Sequence, residues 1–172
     1  MKNKNVMNRI IVLFAFSLIT GTCFSQIKTE EDLAKAVFET IKNSDSEAFS
    51  DYCISDKRVT KLIGELVDTT HMVKSVKADL ADVSPQEIKN EVLARFDKLL
   101  ETVKDENLDI SKATFEAVKE NNIRMDIPNL MSKKVKFSML IEKQHYIVRI
   151  DLFKTNSDMF VYDLRFEKGT SK

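Results

Sequence analysis

Glycine is nearly missing from this sequence, with three in 172 residues, and tryptophan is absent altogether. Gly21, Gly64 and Gly169 stand too far apart to form a phosphate-cradling loop or a flexible linker. Phosphate-loop chemistry and a tethered second domain are therefore not indicated. Histidine and cysteine occur twice each. His71 and His145 have no cysteine near them in sequence, so no metal site is expected. No nucleophile elbow and no His-Glu-x-x-His run occurs, so no catalytic residue is assigned. The acid runs Glu30-Glu31-Asp32 and Asp105-Glu106 read as a helix start and a solvated loop.

Charge of one sign is missing as well, with 27 bases against 27 acids. A nucleic-acid or anionic-membrane partner is not suggested by such a balance. Long apolar runs are also scarce. The segment Ile10–Ile19 has only Ser17 as a polar residue, but ten residues make a helix of about 15 Å. That is about half the hydrocarbon core of a bilayer, too short for a transmembrane span. Lys2, Lys4 and Arg9 precede the run and small residues follow it to Ser25. This is the pattern of a signal peptide over residues 1–25, with the mature chain beginning at Gln26. A bacterial periplasmic or secreted protein is implied. Lipid anchoring through Cys23 is the lesser alternative, because Thr20 and Thr22 stand where such signals carry Leu and a smaller residue. Taking the three bases of the leader from 27 leaves 24 against 27 acids, a net charge of −3 over residues 26–172. That span suits a single α+β domain. Its lone Cys53 cannot form an internal disulfide and reads as a small buried hydrophobe beside Phe49 and Tyr52.

Helices come first. Thr29 is placed to cap a helix carrying Leu33, Val37, Phe38 and Ile41 on one face. Ser44-Asp45 breaks it, and a short helix with Phe49 and Tyr52 follows. Ser55-Asp56 opens a long helix whose stripe runs Val59, Leu62, Leu66, Thr69, Val73, Val76, Leu80. Ser84-Pro85-Gln86-Glu87 is a strong helix start, and Ile88, Val92, Phe96, Leu99, Leu100 and Val103 mark the next face. The short connection predicts that these two long helices form an antiparallel hairpin, with a dimeric coiled coil as the alternative.

From Ser111 the period changes to two. Ala113, Phe115 and Ala117 alternate with polar residues, Asn121-Asn122 suits a tight turn, and 123–127 reads as a return strand ended by Pro128. Strands follow at 133–142, 145–154 and 158–167. Their inward sets are Val135, Phe137, Met139, Ile141; Tyr146, Val148, Ile150, Leu152; and Phe160, Tyr162, Leu164, Phe166. The expected fold is α+β, with N-terminal helices on one face of a curved antiparallel sheet of four or five strands. Ile141 is expected opposite Tyr146 and Ile150 opposite Tyr162, with a three-residue loop at 155–157. Lys136 would then face Asp151, and Arg149 would face Asp163, as cross-strand ion pairs on the outer face.

Helices followed by an antiparallel sheet with an aromatic closing strand resemble the nuclear-transport-factor-like, cystatin-like α+β superfamily. The runs Phe96-Asp97-Lys98-Leu99-Leu100, Leu108-Asp109-Ile110-Ser111-Lys112-Ala113 and Met159-Phe160-Val161-Tyr162-Asp163-Leu164 resemble uncharacterised secreted bacterial members. Those members usually carry Trp where Ile110 and Phe160 stand. The resemblance implies a sheet-and-helix cone, which in isomerases and dehydratases of the superfamily holds an acid or a base. The inward sets here hold neither. The expected site is therefore non-catalytic, with Phe137, Met139, Tyr146 and Tyr162 lining a place for an apolar small molecule or lipid-like group and no cofactor. A protein partner docking on the helical hairpin or a sheet edge is the alternative, and an isomerase- or dehydratase-type enzyme is the lesser one.

Overall fold

The computed structural model describes residues 27–67 and 70–169, and within it the side chains of 117 and 120–126 are not described. The expected leader over 1–25, its expected cleavage site and Cys23 lie outside these residues, as do Asp68 and Thr69. Five helices and four strands occur among the described residues: α1 Glu30–Lys42, α2 Ser46–Ser50, α3 Asp56–Glu65, α4 His71–Asp82, α5 Pro85–Asp105, β1 Thr114–Ile127, β2 Leu130–Ile141, β3 Gln144–Lys154 and β4 Met159–Lys168. None of these helices is long and apolar enough to cross a membrane.

Local chemistry starts each helix. The Thr29 hydroxyl accepts from the Asp32 N–H at 3.0 Å, and the Asp32 carboxylate accepts from the Thr29 N–H at 3.1 Å, a closed capping box. The side chains of Asp45, Ser55 and Ser84 cap α2, α3 and α5 by accepting from the N–H groups of Ala48, Arg58 and Glu87, without the reciprocal bond. The single long helix expected from Ser55 to Leu80 is two helices. α3 stops at Glu65 because Leu66 turns extended, with ψ 118°, and the Thr70 hydroxyl then caps α4 by accepting from the Val73 N–H. The two-helix hairpin is thus replaced by three helices, α3, α4 and α5. Tyr52 falls just past α2.

The sheet is antiparallel in the order β1-β2-β3-β4. Asn121-Asn122 makes no turn; β1 runs on as one strand, and its register against β2 slips between Asn121 and Met125. The reversal comes instead at Pro128-Asn129, where proline presets one dihedral and Asn129 takes φ 69°. The β2–β3 turn is the two residues Glu142-Lys143, with Glu142 at φ 56°. Met139 therefore faces Tyr146, and Val135 faces Ile150, two residues away from the expected register. An even slip keeps the same side chains on the same face, which is why the apolar set survives it. The expected charge pairs do not survive. Lys136 faces Arg149, and Lys134 faces Asp151. Between β3 and β4 a bulge falls after Asp151–Asp163, and the loop at 155–158 has four residues. The bulge reverses the alternation of β4. Val161 and Leu164 point into the main core, while Phe160 and Tyr162 belong to a second cluster. Arg149 accordingly faces Arg165, and Asp151 faces Asp163.

The main core joins α1, α2 and α5 to one sheet face. Phe49 stacks on Phe96 at 4.4 Å, and Phe38 meets Phe137 edge-on at 6.4 Å. α3 and α4 bring Val59, Leu62, Leu66, Val73 and Leu80 onto Leu130 and Phe160, forming the second cluster at the Pro128 end of the sheet.

Candidate functional site

The segment just before α3 lies against β4. The Val161 N–H donates to Tyr52 O at 2.8 Å, and the Ile54 N–H donates to Val161 O at 2.8 Å. This brings the start of α3 beside the β3–β4 loop. The loop is itself closed by the Thr155 hydroxyl, which accepts from the Asp158 N–H at 2.9 Å. Between the two lies a cleft with two lobes that share Asp51, Arg58, Ser157 and Asp158. One lobe, about 630 Å³, is lined by Ile27, Tyr52 and Met159 with Lys28, Lys154 and Asn156. The other, about 590 Å³, is lined by Cys53, Ser50 and Ser55 with Lys57, Lys61 and Lys89. Each is the size of a small-molecule site.

Arg58 divides the lobes and is firmly held. Its Nε donates to Asp158 at 3.1 Å, and one terminal nitrogen donates to the carbonyls of Asp51 at 2.8 Å and Cys53 at 2.7 Å. The guanidinium lies 5.7 Å from the Phe160 ring centre. An arginine keeps its proton at every physiological pH. It therefore presents fixed donors rather than proton-transfer chemistry. Cys53 is buried and donates weakly to Phe49 O, and burial pushes its thiol up to about 12. With 1% of its surface exposed and a place in the main core, Cys53 is the small buried hydrophobe that the sequence suggested.

The four residues expected to line an apolar site are not all together. Phe137, Met139 and Tyr146 sit in the main core with 0–1% of their surface exposed. The Tyr146 hydroxyl reaches the rim and donates to Glu106 at 3.0 Å; burial, then that carboxylate, pushes it up to about 12. Tyr162 lies in the second cluster, stacked on Phe153 at 4.4 Å, with its hydroxyl 3.0 Å from Ser132. Neither lobe of the cleft includes any of the four. His71 is exposed at the start of α4, and His145 meets Glu116 at 3.0 Å. The sequence missed Arg58 and Asp158 because they meet across 100 positions; its only local trace was the Ser55 cap.

One wall of the cleft depends on a buried acid. Lys154 lines the larger lobe and is tied at 3.0 Å to Glu30, which also receives Lys133. Burial pushes the Glu30 carboxyl up, but the two ammonium groups outweigh it and hold the folded value at about 2, against 4.5. A depressed carboxyl contributes stability that is complete above its unfolded value and is lost as pH falls through the folded one. Glu30→Gln is therefore expected to lower stability at pH 7 by about 1–2 kcal/mol, after discounting for solvent screening. The difference should shrink between about pH 5 and pH 2. Urea melts at pH 7 and pH 3 check this; a difference that does not change with pH would contradict it.

No family model matches the chain, and no curated protein matches it. Among solved structures it is similar to a cystatin-like protein from Ruminococcus gnavus ATCC 29149, at 12% identity and a TM-score of 0.45. The match covers 93% of this chain and 48% of that one, so the chain spans about half the length of the structure it matches.

Proposed function

We propose that this chain is an exported, non-catalytic binding domain whose small-molecule ligand lodges in the cleft at Arg58. The observation that supports it is the fixed guanidinium between two lobes of about 630 and 590 Å³. Such a group gives orientation without chemistry, and Ile27, Tyr52 and Met159 offer apolar contact beside it. The ligand is assigned here rather than to the sheet face because Phe137, Met139 and Tyr146 are already packed against protein. Export rests on the basic, then apolar, then small-residue pattern of the first 25 residues. A second reading, docking of another protein, is favoured by Val67 and Met72, each 58% exposed at the corner between α3 and α4.

Because the chain has no tryptophan, one introduced Trp is its sole indole reporter. Asn156→Trp places it at the mouth of the larger lobe, and Val67→Trp places it on the exposed corner. The dialysable fraction of an envelope extract should shift the emission of Asn156→Trp and leave Val67→Trp unchanged. A response confined to Val67→Trp, and to the retained high-mass fraction, would replace the cleft reading with the docking one.

A further inference from the structure

The two lobes of the cleft differ in charge. The smaller one is lined by four cations, Lys57, Arg58, Lys61 and Lys89, against two acids, Asp51 and Asp158. Asp158 is already engaged by the Arg58 Nε at 3.1 Å. The side chains of Lys57 and Lys89 have no acid partner among the described residues. Lys61 has Glu65 at a loose 3.9 Å, and the same Glu65 oxygen accepts from the Ser157 hydroxyl at 2.6 Å. Burial, which pushes the Cys53 thiol up, is opposed by the charges of Lys89 and Arg58, so both cations bear on one residue of this lobe. In the larger lobe Lys154 is neutralised by Glu30, and Ile27, Tyr52 and Met159 form an apolar wall.

Arg58 stands where the lobes meet, and its donors are unequally used. A guanidinium has five N–H groups. The one on Nε goes to Asp158, and the two on one terminal nitrogen go to the Asp51 and Cys53 carbonyls. The other terminal nitrogen has no acceptor among the described residues and is open to solvent. With Nε and one terminal nitrogen engaged, Arg58 cannot grip an oxyanion through two nitrogens at once. An anion held by one arginine nitrogen and by lysines gains from a second anchorage, which the apolar wall supplies. Resting on the cleft reading above, we propose that the ligand is a small amphipathic acid. Its anionic group sits on Lys57, Lys89 and the free terminal nitrogen of Arg58, and its apolar body lies against Ile27, Tyr52 and Met159.

The probes are anilinonaphthalenesulfonate, an aromatic body with one acidic group, and phenylnaphthylamine, the same body without it. Both are titrated by fluorescence into the purified protein, into Lys57→Gln with Lys89→Gln, and into Ser157→Trp, which fills the mouth common to both lobes. The sulfonate should bind at one site, more weakly as salt rises. The double variant should weaken it about tenfold, since each exposed ion pair lost is worth about threefold to fivefold. The same variant should leave the neutral probe unchanged and keep its melting temperature, because Lys57 is exposed and Lys89 is half-buried. Ser157→Trp should reduce binding of both probes. A sulfonate affinity that the double variant retains, or loses no more than the neutral probe does, overturns the acid and leaves the cleft in place; so does binding of the neutral probe alone. Binding of neither probe, or binding that Ser157→Trp does not reduce, overturns the cleft reading and the acid with it.

Discussion

Leu66→Asp is expected to lower the melting temperature by about 10 °C or more. Leu66 ends α3 with only 2% of its surface exposed, in the cluster that seats α3 and α4 on Leu130 and Phe160. Truncating a buried leucine alone costs about 2–5 kcal/mol. A carboxylate there adds the penalty of leaving water without a partner. The whole stability of a domain this size is about 5–15 kcal/mol. The neighbouring Val67→Asp makes the contrast, since Val67 is 58% exposed and the change should stay within about 0.5 kcal/mol. Circular-dichroism melts of the pair check both; equal melting temperatures would mean that α3 and α4 are not packed as described.

The second large effect is expected at the aromatic stack between α2 and α5. Phe49 and Phe96 are both fully buried and lie nearly parallel, 4.4 Å apart. Phe49→Ala should cost about 3–5 kcal/mol. Phe49→Ala together with Phe96→Ala should cost less than the sum of the two, by about 1 kcal/mol, because each single change already breaks the stack. Denaturant unfolding of the four proteins measures this, and strict additivity would contradict the contact. The stack matters beyond stability. α2 leads directly into the Tyr52–Ile54 segment that pairs with Val161, and so it holds one wall of the cleft.

Where the chain's own neighbours decide a feature, the sequence was sufficient. Thr29, Asp45, Ser55 and Ser84 cap their helices through bonds to residues three places on, and α1, α5 and the last three strands lie where those caps and periods put them. The break after Leu66 was hidden because Leu66 and Val73 are both buried and keep helical spacing across it. Only the Thr70 cap marked it. The bulge in β4 was hidden for a related reason: Phe160, Val161 and Tyr162 are all apolar, so alternation cannot say which faces the core. The two-residue slip between β2 and β3 leaves every face unchanged, and polarity is blind to it. It rests on Glu142 adopting φ 56° in a two-residue turn, where Ile141 opposite Tyr146 would need four residues. The cleft was least legible. Its walls come from residues 27–28, 50–61, 89 and 154–159, and no local pattern joins them.

Native mass spectrometry of the protein purified from its native source tests the binding reading most directly, with Ser157→Trp as the comparison. Ser157 is exposed and borders both lobes, so an indole there fills their common mouth without touching the core. The unsubstituted protein should begin at Gln26 and carry the added mass of a small molecule, and Ser157→Trp should lose that mass while keeping its melting temperature. A bare protein in both preparations, or an added mass that Ser157→Trp retains, would contradict a ligand site at Arg58.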